Sequence, residues 1–261
     1  KLTKPWFYHS QLVGGGKLEL KMGNKPNKKW GSKPEDAPPS MSSILTQGEI
    51  NEIMAYDKFD EDMEAWNKAM RAYYYQKKEH FELLPDTENE IIFLGNSITD
   101  GCEWAELFQN PNIKNRGIGG DDTDGVLERL DEIISSKPSK IFIMIGTNDM
   151  AYGKTVDYVV SNYTKIIDSI QIICPDTKIY IQSVLPVDDA IHYTRSTSDI
   201  MQINTHLEKL SAEKSIEYIE LFSIFSNDDN KLNPDYSLDG LHLNGKGYQV
   251  WKEAIQKYVE E

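Results

Sequence analysis

Cysteine is scarce in this sequence, with Cys102 and Cys174 the two examples among 261 residues. Two cysteines cannot form the disulfide framework on which small secreted scaffolds depend, so we expect both thiols to be free and mostly buried. Long apolar runs are also missing, because no stretch approaches the ~20 residues that a membrane-spanning helix requires. The sequence therefore argues against a disulfide-stapled scaffold and against a membrane span.

Basic residues are in deficit, with 28 Lys and Arg against 42 Asp and Glu and a formal net charge of −14. The deficit is uneven: residues 1–34 hold eight lysines and one glutamate, a formal charge of +7, which leaves −21 for the remainder. An acidic body repels phosphate backbones, which argues against a nucleic-acid partner. We expect the lysine-rich start to be a solvated tail, with contact to an anionic surface as the alternative.

Motifs for cofactors and metals are missing too. Gly117-Ile-Gly-Gly120 lacks the spacing of a phosphate-binding P-loop. Asp121, Asp122 and Asp124 cluster, but a site for a hard cation needs further oxygen ligands at alternating positions. We expect these acids to cap a helix that starts near Thr123, and we predict neither a cofactor nor a metal.

The first part of the chain, residues 1–85, predicts an N-terminal extended arm and a helical segment that pack on the core. Residues 1–45 are rich in Gly, Pro, Lys and Ser, and we expect their aromatic residues to dock on the domain that follows: Trp6, Phe7, Tyr8 and Trp30. Thr46 has the spacing of a capping box and opens a helix to about Leu83. A stripe at helical spacing predicts a packed face, formed by Phe59, Met63, Trp66 and Met70.

Residues 86–261 alternate between strands and helices, which predicts a parallel sheet covered on both faces. The predicted strands lie near 91–94, 113–115, 141–145, 178–184 and 216–220. The predicted helices lie near 103–108, 123–135, 155–174, 197–212 and 247–259. Every strand should therefore present its carboxyl end at one edge of the sheet, where open α/β sheets build their sites.

Ser97 follows the first of these strands. Ile91-Ile-Phe-Leu94 is an apolar run, and Gly95-Asn-Ser97 breaks it with a tight turn. A serine at this edge is a candidate nucleophile, although Gly-Asn-Ser is also an ordinary turn. A serine hydroxyl needs a neutral imidazole to take its proton, and the imidazole needs an acid to fix its tautomer.

Asp239 and His242 supply that pair, three residues apart on a glycine-flanked turn near the C-terminus. On such a turn the carboxylate can hold one ring nitrogen while the other faces outward. None of the remaining histidines has both an aspartate three residues before it and a glycine turn around it. His192 lies in a loop at the same edge and is an alternative pocket residue, whereas a structural or surface role is expected for His80 and His206, and His9 lies in the arm.

Two further loops at the strand ends can stabilise an oxyanion. Residues 115–123 contain Gly117, Gly119 and Gly120, whose backbone N–H groups can approach a ligand without side-chain hindrance. Asn148 directly follows a hydrophobic strand and Gly146-Thr147, so its amide can donate a hydrogen bond to a developing oxyanion.

These stretches together resemble the SGNH (GDSL-like) hydrolase superfamily over roughly residues 90 to 258. The resemblance rests on Gly95-Asn-Ser97, Gly120, Asn148, Asp239 and His242. The run 117–123 is most similar to platelet-activating-factor acetylhydrolase-like enzymes and carbohydrate O-acetyl esterases. The resemblance implies a flavodoxin-like α/β/α sandwich with a parallel sheet over 86–261. It also implies Ser97, Asp239 and His242 as the catalytic triad and an oxyanion hole from Ser97, Gly120 and Asn148.

Asn96 departs from the family pattern, because the usual residue before the serine is aspartate. The family resemblance predicts a serine esterase that forms an acyl-enzyme on Ser97. We expect short-chain O-acyl substrates, first of all O-acetyl groups on carbohydrates. The alternatives are a lysophospholipase or thioesterase type of acylhydrolase and a catalytically inactive glycan-binding relative.

The partner expected from this interpretation is a small-molecule or glycan ester, with homodimer formation left open. Since the first residue is Lys1 rather than Met, we expect that a secretion signal has been removed. The expected location is therefore secreted or periplasmic, with the cytoplasm as the alternative.

Overall fold

A computed structural model of the protein describes residues 8–13, 17–22 and 47–261, with side chains from residue 64 onward. The chain divides into two compact units, Lys1–Ala69 and Met70–Glu261. The predicted helix cap Thr46 and the aromatic residues Trp6, Phe7 and Trp30 lie outside the described residues. The predicted division at residues 85 and 86 stays a prediction.

The described part of the first unit contains two strands, β1 (Tyr8–Val13) and β2 (Lys17–Met22), which pair antiparallel. The prediction of an extended arm missed them, although Leu18, Leu20 and Met22 alternate with charged residues at the period of a strand. The long helix α1 (Gln47–Leu83) confirms the predicted helical segment. Its predicted packed stripe is wrong at Trp66, which is 58% exposed.

The second unit is built on a five-stranded parallel sheet with the order β4-β3-β5-β6-β7. Its strands are β3 (Ile91–Gly95), β4 (Ile113–Gly117), β5 (Lys140–Met144), β6 (Lys178–Gln182) and β7 (Glu217–Ile219). This is the flavodoxin-like order, with the sheet reversing its winding between β3 and β5. The predicted fold class is therefore confirmed, and the reversal brings the ends of three strands, β4, β3 and β5, side by side.

Helices cover the sheet between these strands. They are α2 (Ser97–Asp100), α3 (Trp104–Leu107), α4 (Thr123–Glu128), α5 (Leu130–Ser135), α6 (Thr147–Ala151), α7 (Val156–Ile173), α8 (Thr197–Lys214), α9 (Phe222–Phe225) and α10 (Gly245–Glu260). The short helices α2, α6 and α9 were not predicted, because four or five residues show no helical period. The predicted helix 123–135 is instead two helices that break at Arg129.

The break at Arg129 has a clear cause in its buried side chain. The guanidinium donates hydrogen bonds to the Asp121 carboxylate and to the backbone carbonyls of Gly95 and Arg116. The residue is 1% exposed, and its backbone leaves helical geometry with φ −110° and ψ 12°. Satisfying a buried charge at the end of the sheet thus takes precedence over a continuous helix.

The core includes an aromatic stack across the sheet. Phe93, Phe142 and Tyr180 lie in register on β3, β5 and β6, with stacked ring centroids 4.9 Å and 4.5 Å apart. Trp104 stacks on Phe93 at 4.4 Å.

Cys102 and Cys174 are both free and buried, as predicted. Among the described residues, no helix is both long and apolar enough to cross a membrane.

Candidate active site

Ser97 is held at the carboxyl end of β3 by its neighbours. Asn96 caps α2, because its side-chain oxygen accepts a hydrogen bond from the Ile98 N–H at 3.0 Å. A side chain at Gly95 would place its Cβ 2.2 Å from Thr99 Oγ1 and 2.6 Å from the Met144 carbonyl oxygen, so the turn requires glycine. The asparagine that replaces the usual aspartate therefore keeps a local capping role, as an uncharged acceptor can.

Asp239 and His242 lie on one turn whose hydrogen bonds orient both side chains. Asp239 Oδ1 accepts the backbone N–H groups of Leu241 and His242 at 2.9 Å and 2.8 Å, and it also accepts the hydroxyl of Ser237 at 3.2 Å. Its other oxygen, Oδ2, lies 2.7 Å from His242 Nδ1. Gly240 has a φ of +79°, which only glycine adopts freely. The turn thus presents the imidazole with its Nε2 facing away from the carboxylate.

The structure brings Ser97 to this turn. Ser97 Oγ lies 2.9 Å from His242 Nε2, although the two residues are 145 positions apart. The site is open to solvent, since the His242 and Asp239 side chains are 45% and 51% exposed. Hydroxyl, imidazole and carboxylate therefore form one continuous chain of hydrogen bonds at the protein surface.

The pKa of the Asp239 carboxyl is lowered. Partial burial would by itself raise it, but the hydrogen bonds from the His242 ring and from the backbone N–H groups of His242 and Leu241 outweigh burial. The carboxylate is therefore charged at neutral pH and can stabilise a positive charge on the neighbouring imidazole.

Gly120 follows β4 and Asn148 follows β5, at the same edge as Ser97. Gly120 has a φ of +79°, and within the described residues neither its N–H nor that of Ser97 has an acceptor. Asn148 lies in the first turn of α6, is 5% exposed, and donates a hydrogen bond from Nδ2 to the Asp121 carbonyl at 2.8 Å. That bond ties the Gly120 loop to α6 and occupies one of the two N–H bonds of the amide.

The acidic cluster after Gly120 has separate roles. Asp122 caps α4 as predicted, accepting the Gly125 N–H at 2.9 Å. Asp121 does not cap the helix; its carboxylate pairs with buried Arg129 at 2.8 Å. Burial raises the pKa of Asp121 to about 6, although the Arg129 charge opposes the shift. Among the described residues, no group of three or more His, Cys, Asp or Glu side chains is arranged to hold a metal.

Sequence reasoning missed several residues that the fold brings to this edge. Arg195 donates from Nη2 to Asn148 Oδ1 at 3.0 Å, and the Tyr152 hydroxyl donates to the Gly120 carbonyl at 3.0 Å. Tyr73 of α1 donates to Asp100 at 2.6 Å, and the same carboxylate oxygen accepts the Gly119 N–H at 3.2 Å. No motif marks these residues, because their positions depend on the paths of a loop and a long helix.

Of the other histidines with described side chains, one contacts the turn of Asp239 and two are exposed. His192 is half-buried, and its Nε2 lies 2.8 Å from the Asp239 carbonyl oxygen, so it contacts the backbone of the triad turn. His80 and His206 are exposed. The side chain of His9 lies outside the described part of the chain.

Comparison with known proteins identifies the family behind this geometry. Residues 93–250 match the model of the GDSL-like lipase/acylhydrolase family, and this range includes Ser97, Asp239, His242 and both oxyanion candidates, Gly120 and Asn148. The chain belongs to this family. As a family member it is a hydrolase of the SGNH type, which confirms the resemblance inferred from the sequence.

Relatives of this acylhydrolase extend the match. It is 30% identical over 188 residues to platelet-activating factor acetylhydrolase IB subunit alpha2 of Gallus gallus, covering 67% of this chain and 80% of that protein. A solved structure described as a platelet activating factor from Streptococcus pneumonia is 30% identical, with a TM-score of 0.69 over 78% of this chain and 99% of that one. A GDSL-like lipase from Bacteroides thetaiotaomicron is 25% identical, with a TM-score of 0.63 over 72% of this chain and 98% of that one.

Proposed function

We propose that this acylhydrolase is a serine esterase that removes short O-acyl groups, first of all acetyl groups from carbohydrates, through an acyl-enzyme on Ser97. The observation that carries the proposal is the hydrogen-bond chain from Ser97 Oγ through His242 to Asp239, with distances of 2.9 Å and 2.7 Å. A hydroxyl, an imidazole and a carboxylate in this order are the parts needed to activate a serine.

In the proposed mechanism His242 Nε2 takes the proton of Ser97 as Oγ attacks the ester carbonyl. Asp239 accepts a hydrogen bond from Nδ1–H and stabilises the imidazolium that forms. The imidazolium then gives its proton to the leaving alcohol, and a water molecule repeats the sequence to release the acid. Apart from that water, the proposed steps use the protein's own side chains and backbone.

The tetrahedral intermediates carry a negative oxygen that must be stabilised. We assign this to the N–H groups of Ser97 and Gly120 and to the second N–H of the Asn148 amide. Support comes from their location at the ends of three adjacent strands and from the missing acceptors for both backbone N–H groups among the described residues. Fixed donors of this kind stabilise charge without reorganising during the reaction.

The acyl group is the part of the substrate for which support is strongest. The names of two of the three relatives given above contain platelet-activating factor, and the Gallus gallus protein is named as an acetylhydrolase of that compound. The preference for a carbohydrate over a lipid rests on the sequence, which has no long apolar lid.

A lipid or other apolar ester is a second candidate, favoured by exposed apolar side chains beside the triad turn. Leu238 precedes Asp239 and is 93% exposed. Ile191 and Tyr193 flank His192, which contacts the Asp239 carbonyl, and they are 59% and 83% exposed. Single exposed apolar residues are common, but three near one catalytic turn could contact an acyl chain or lipid.

Substitution of the nucleophile tests the reaction type. Ser97→Ala should abolish hydrolysis of p-nitrophenyl acetate and labelling by a fluorophosphonate probe. The melting temperature should not change, because among the described side chains Ser97 Oγ is hydrogen-bonded to His242 alone. Ser198→Ala, an exposed serine on α8, is the matched control and should retain both. Labelling at another serine, or full activity of Ser97→Ala, would refute the assignment.

A series of acyl-chain lengths separates the two substrate candidates. With a short pocket, kcat/KM should fall steeply from acetyl to butyryl and longer p-nitrophenyl esters. Acetylated sugars should be deacetylated at comparable efficiency. A flat or rising profile would favour the lipid or thioester type of acylhydrolase.

A further inference from the structure

Arg195 lies in the loop between β6 and α8, with its guanidinium against the amide of Asn148. Its Nη2 donates to Asn148 Oδ1 at 3.0 Å, and its Nε is buried with no acceptor among the described residues. Within the described part of the chain no carboxylate forms an ion pair with Arg195. In an acidic protein, a half-buried cation without a carboxylate partner is unusual, and its main polar contact is an uncharged amide.

The two neighbours of the Asn148 amide fix its orientation. The Asp121 carbonyl can only accept hydrogen bonds, and it takes one Nδ2–H at 2.8 Å. The Arg195 guanidinium can only donate, and it gives a hydrogen bond to Oδ1. A flipped amide would set N–H against N–H and carbonyl against carbonyl, so a single orientation is allowed. In that orientation the second N–H of Asn148 has no acceptor among the described residues.

We propose that Arg195 is a positioning residue for the reaction, which holds and polarises the Asn148 amide so that its free N–H serves the oxyanion. The inference rests on the proposed function, in which Asn148 donates to the tetrahedral intermediate. A guanidinium on the amide oxygen draws electron density from the nitrogen, which makes the remaining N–H a stronger donor. The effect grows in a partly buried site, where charge is poorly screened.

The partial burial of the Arg195 side chain is consistent with this role. Partial burial lowers the pKa of the Arg195 guanidinium, while nearby Tyr152 opposes the shift. A guanidinium still holds its proton at neutral pH, so the charge persists beside Asn148. The desolvated, unpaired Nε–H marks a side chain kept in place at some cost in stability, which is common at functional sites.

A double-mutant cycle of Arg195→Met and Asn148→Ala tests the inference, with p-nitrophenyl acetate as substrate. Asn148→Ala should lower kcat by roughly 100- to 1,000-fold with little change in KM, because the hydrogen bond forms mainly in the transition state. Arg195→Met should lower kcat by roughly 10- to 100-fold, the range for a charge-assisted hydrogen bond. The double variant should be no slower than Asn148→Ala, because Arg195 acts through that amide.

Two further variants separate positioning from general effects. Arg195→Lys keeps a donor and a charge, so it should restore part of the kcat lost in Arg195→Met. Lys209→Met removes the same charge from an exposed position on α8 and should leave kcat and KM unchanged. Should Arg195→Met melt at a much lower temperature, Arg195→Lys takes its place in the cycle.

The outcomes distinguish this inference from the proposed function. Additive losses in the double variant, or a raised KM with unchanged kcat in Arg195→Met, would overturn the positioning role and indicate direct substrate contact. Full kcat in Asn148→Ala would overturn both the oxyanion assignment and the Arg195 inference. In either case, loss of fluorophosphonate labelling in Ser97→Ala would still identify Ser97 as the nucleophile, because labelling does not depend on Asn148 or Arg195 being assigned correctly.

Discussion

At the His242 ring, Nδ1 lies against Asp239 and Nε2 against Ser97. The turn that carries Asp239 and His242 sets this arrangement. The two oxygens of Asp239 are not equivalent: Oδ1 accepts two backbone N–H groups, and Oδ2 faces His242 Nδ1. The proton of a neutral imidazole is therefore placed on Nδ1, which leaves Nε2 free to accept from Ser97. The direction of proton transfer in the proposed mechanism therefore follows from the backbone of the turn that carries Asp239 and His242.

This asymmetry predicts the effect of Asp239→Asn. The new side-chain oxygen should stay on the two backbone N–H groups, which turns the amide NH₂ toward Nδ1. Nδ1 would then accept, and Nε2 would carry the proton that blocks it as a base. We expect kcat to fall by roughly 10,000-fold, measured with p-nitrophenyl acetate, while the fold is retained.

The control is Asp235→Asn, since Asp235 is exposed on the same segment and pairs with Lys246 at the surface. It should keep near-wild-type kcat. Activity of Asp239→Asn within a few-fold of wild type would contradict the proposed tautomer.

At the level of elements, the final turns of α1 belong to the second unit and pack against side chains around β4. Phe81 is 6% exposed, with the Arg116 guanidinium 4.8 Å and Lys77 Nζ 5.0 Å from its ring centroid. Lys77 also pairs with Asp100 at 2.8 Å, the residue that holds the Gly119 N–H. Helix α1 thus supports the loop that carries Gly120.

We therefore expect Phe81→Ala to lower the free energy of unfolding by about 3 kcal/mol, because it removes a buried ring and leaves a cavity. Leu83→Ala is the matched control on the same helix, since Leu83 is 78% exposed. It should change the free energy by less than about 0.5 kcal/mol. Chemical denaturation of the full chain measures both changes. Equal small effects would show that the end of α1 contributes little to the stability of the second unit.

For the whole molecule, stability should depend on a buried carboxyl that forms no ion pair itself among the described residues. Asp149 is fully buried, and burial raises its pKa to about 7, although its hydrogen bonds from Thr123 oppose the shift. The folded state therefore binds this proton more tightly than the unfolded chain, whose ordinary value is 3.8. Its contribution to stability is complete below pH 4 and is lost as the pH rises through about 7.

The expected result is a fall of roughly 3 kcal/mol in the free energy of unfolding between pH 5 and pH 8 from this group. Asp149→Asn keeps an oxygen for Thr123 without a titrating group, so its stability should vary less over that range. Asp176→Asn, at an exposed position, should keep the wild-type dependence. Parallel pH profiles for Asp149→Asn and wild type would contradict the assignment.

Much of the fold was predictable because parallel strands leave a local signal. The buried strand Ile91–Gly95 has no polar side chain, and Lys140–Met144 is apolar after its first residue. The helix Val156–Ile173 is bounded by a capping Thr155 and by Cys174 before a proline. Elements set by distant contacts were not predictable. Arg129 breaks a helix in order to reach the sheet, and the short α6 carries Asn148 in its first turn.

The sequence by itself determined the chemistry that this protein has available. A serine after an apolar strand, and an aspartate three residues before a histidine on a glycine turn, are local patterns whose meaning depends on a few neighbouring residues. Tertiary structure alone decided which groups meet: Ser97 and His242 across 145 positions, and Arg195 on the amide of Asn148. The physical reason is that a hydrogen bond depends on distances of about 3 Å, which loop paths and sheet order set and which sequence spacing does not record.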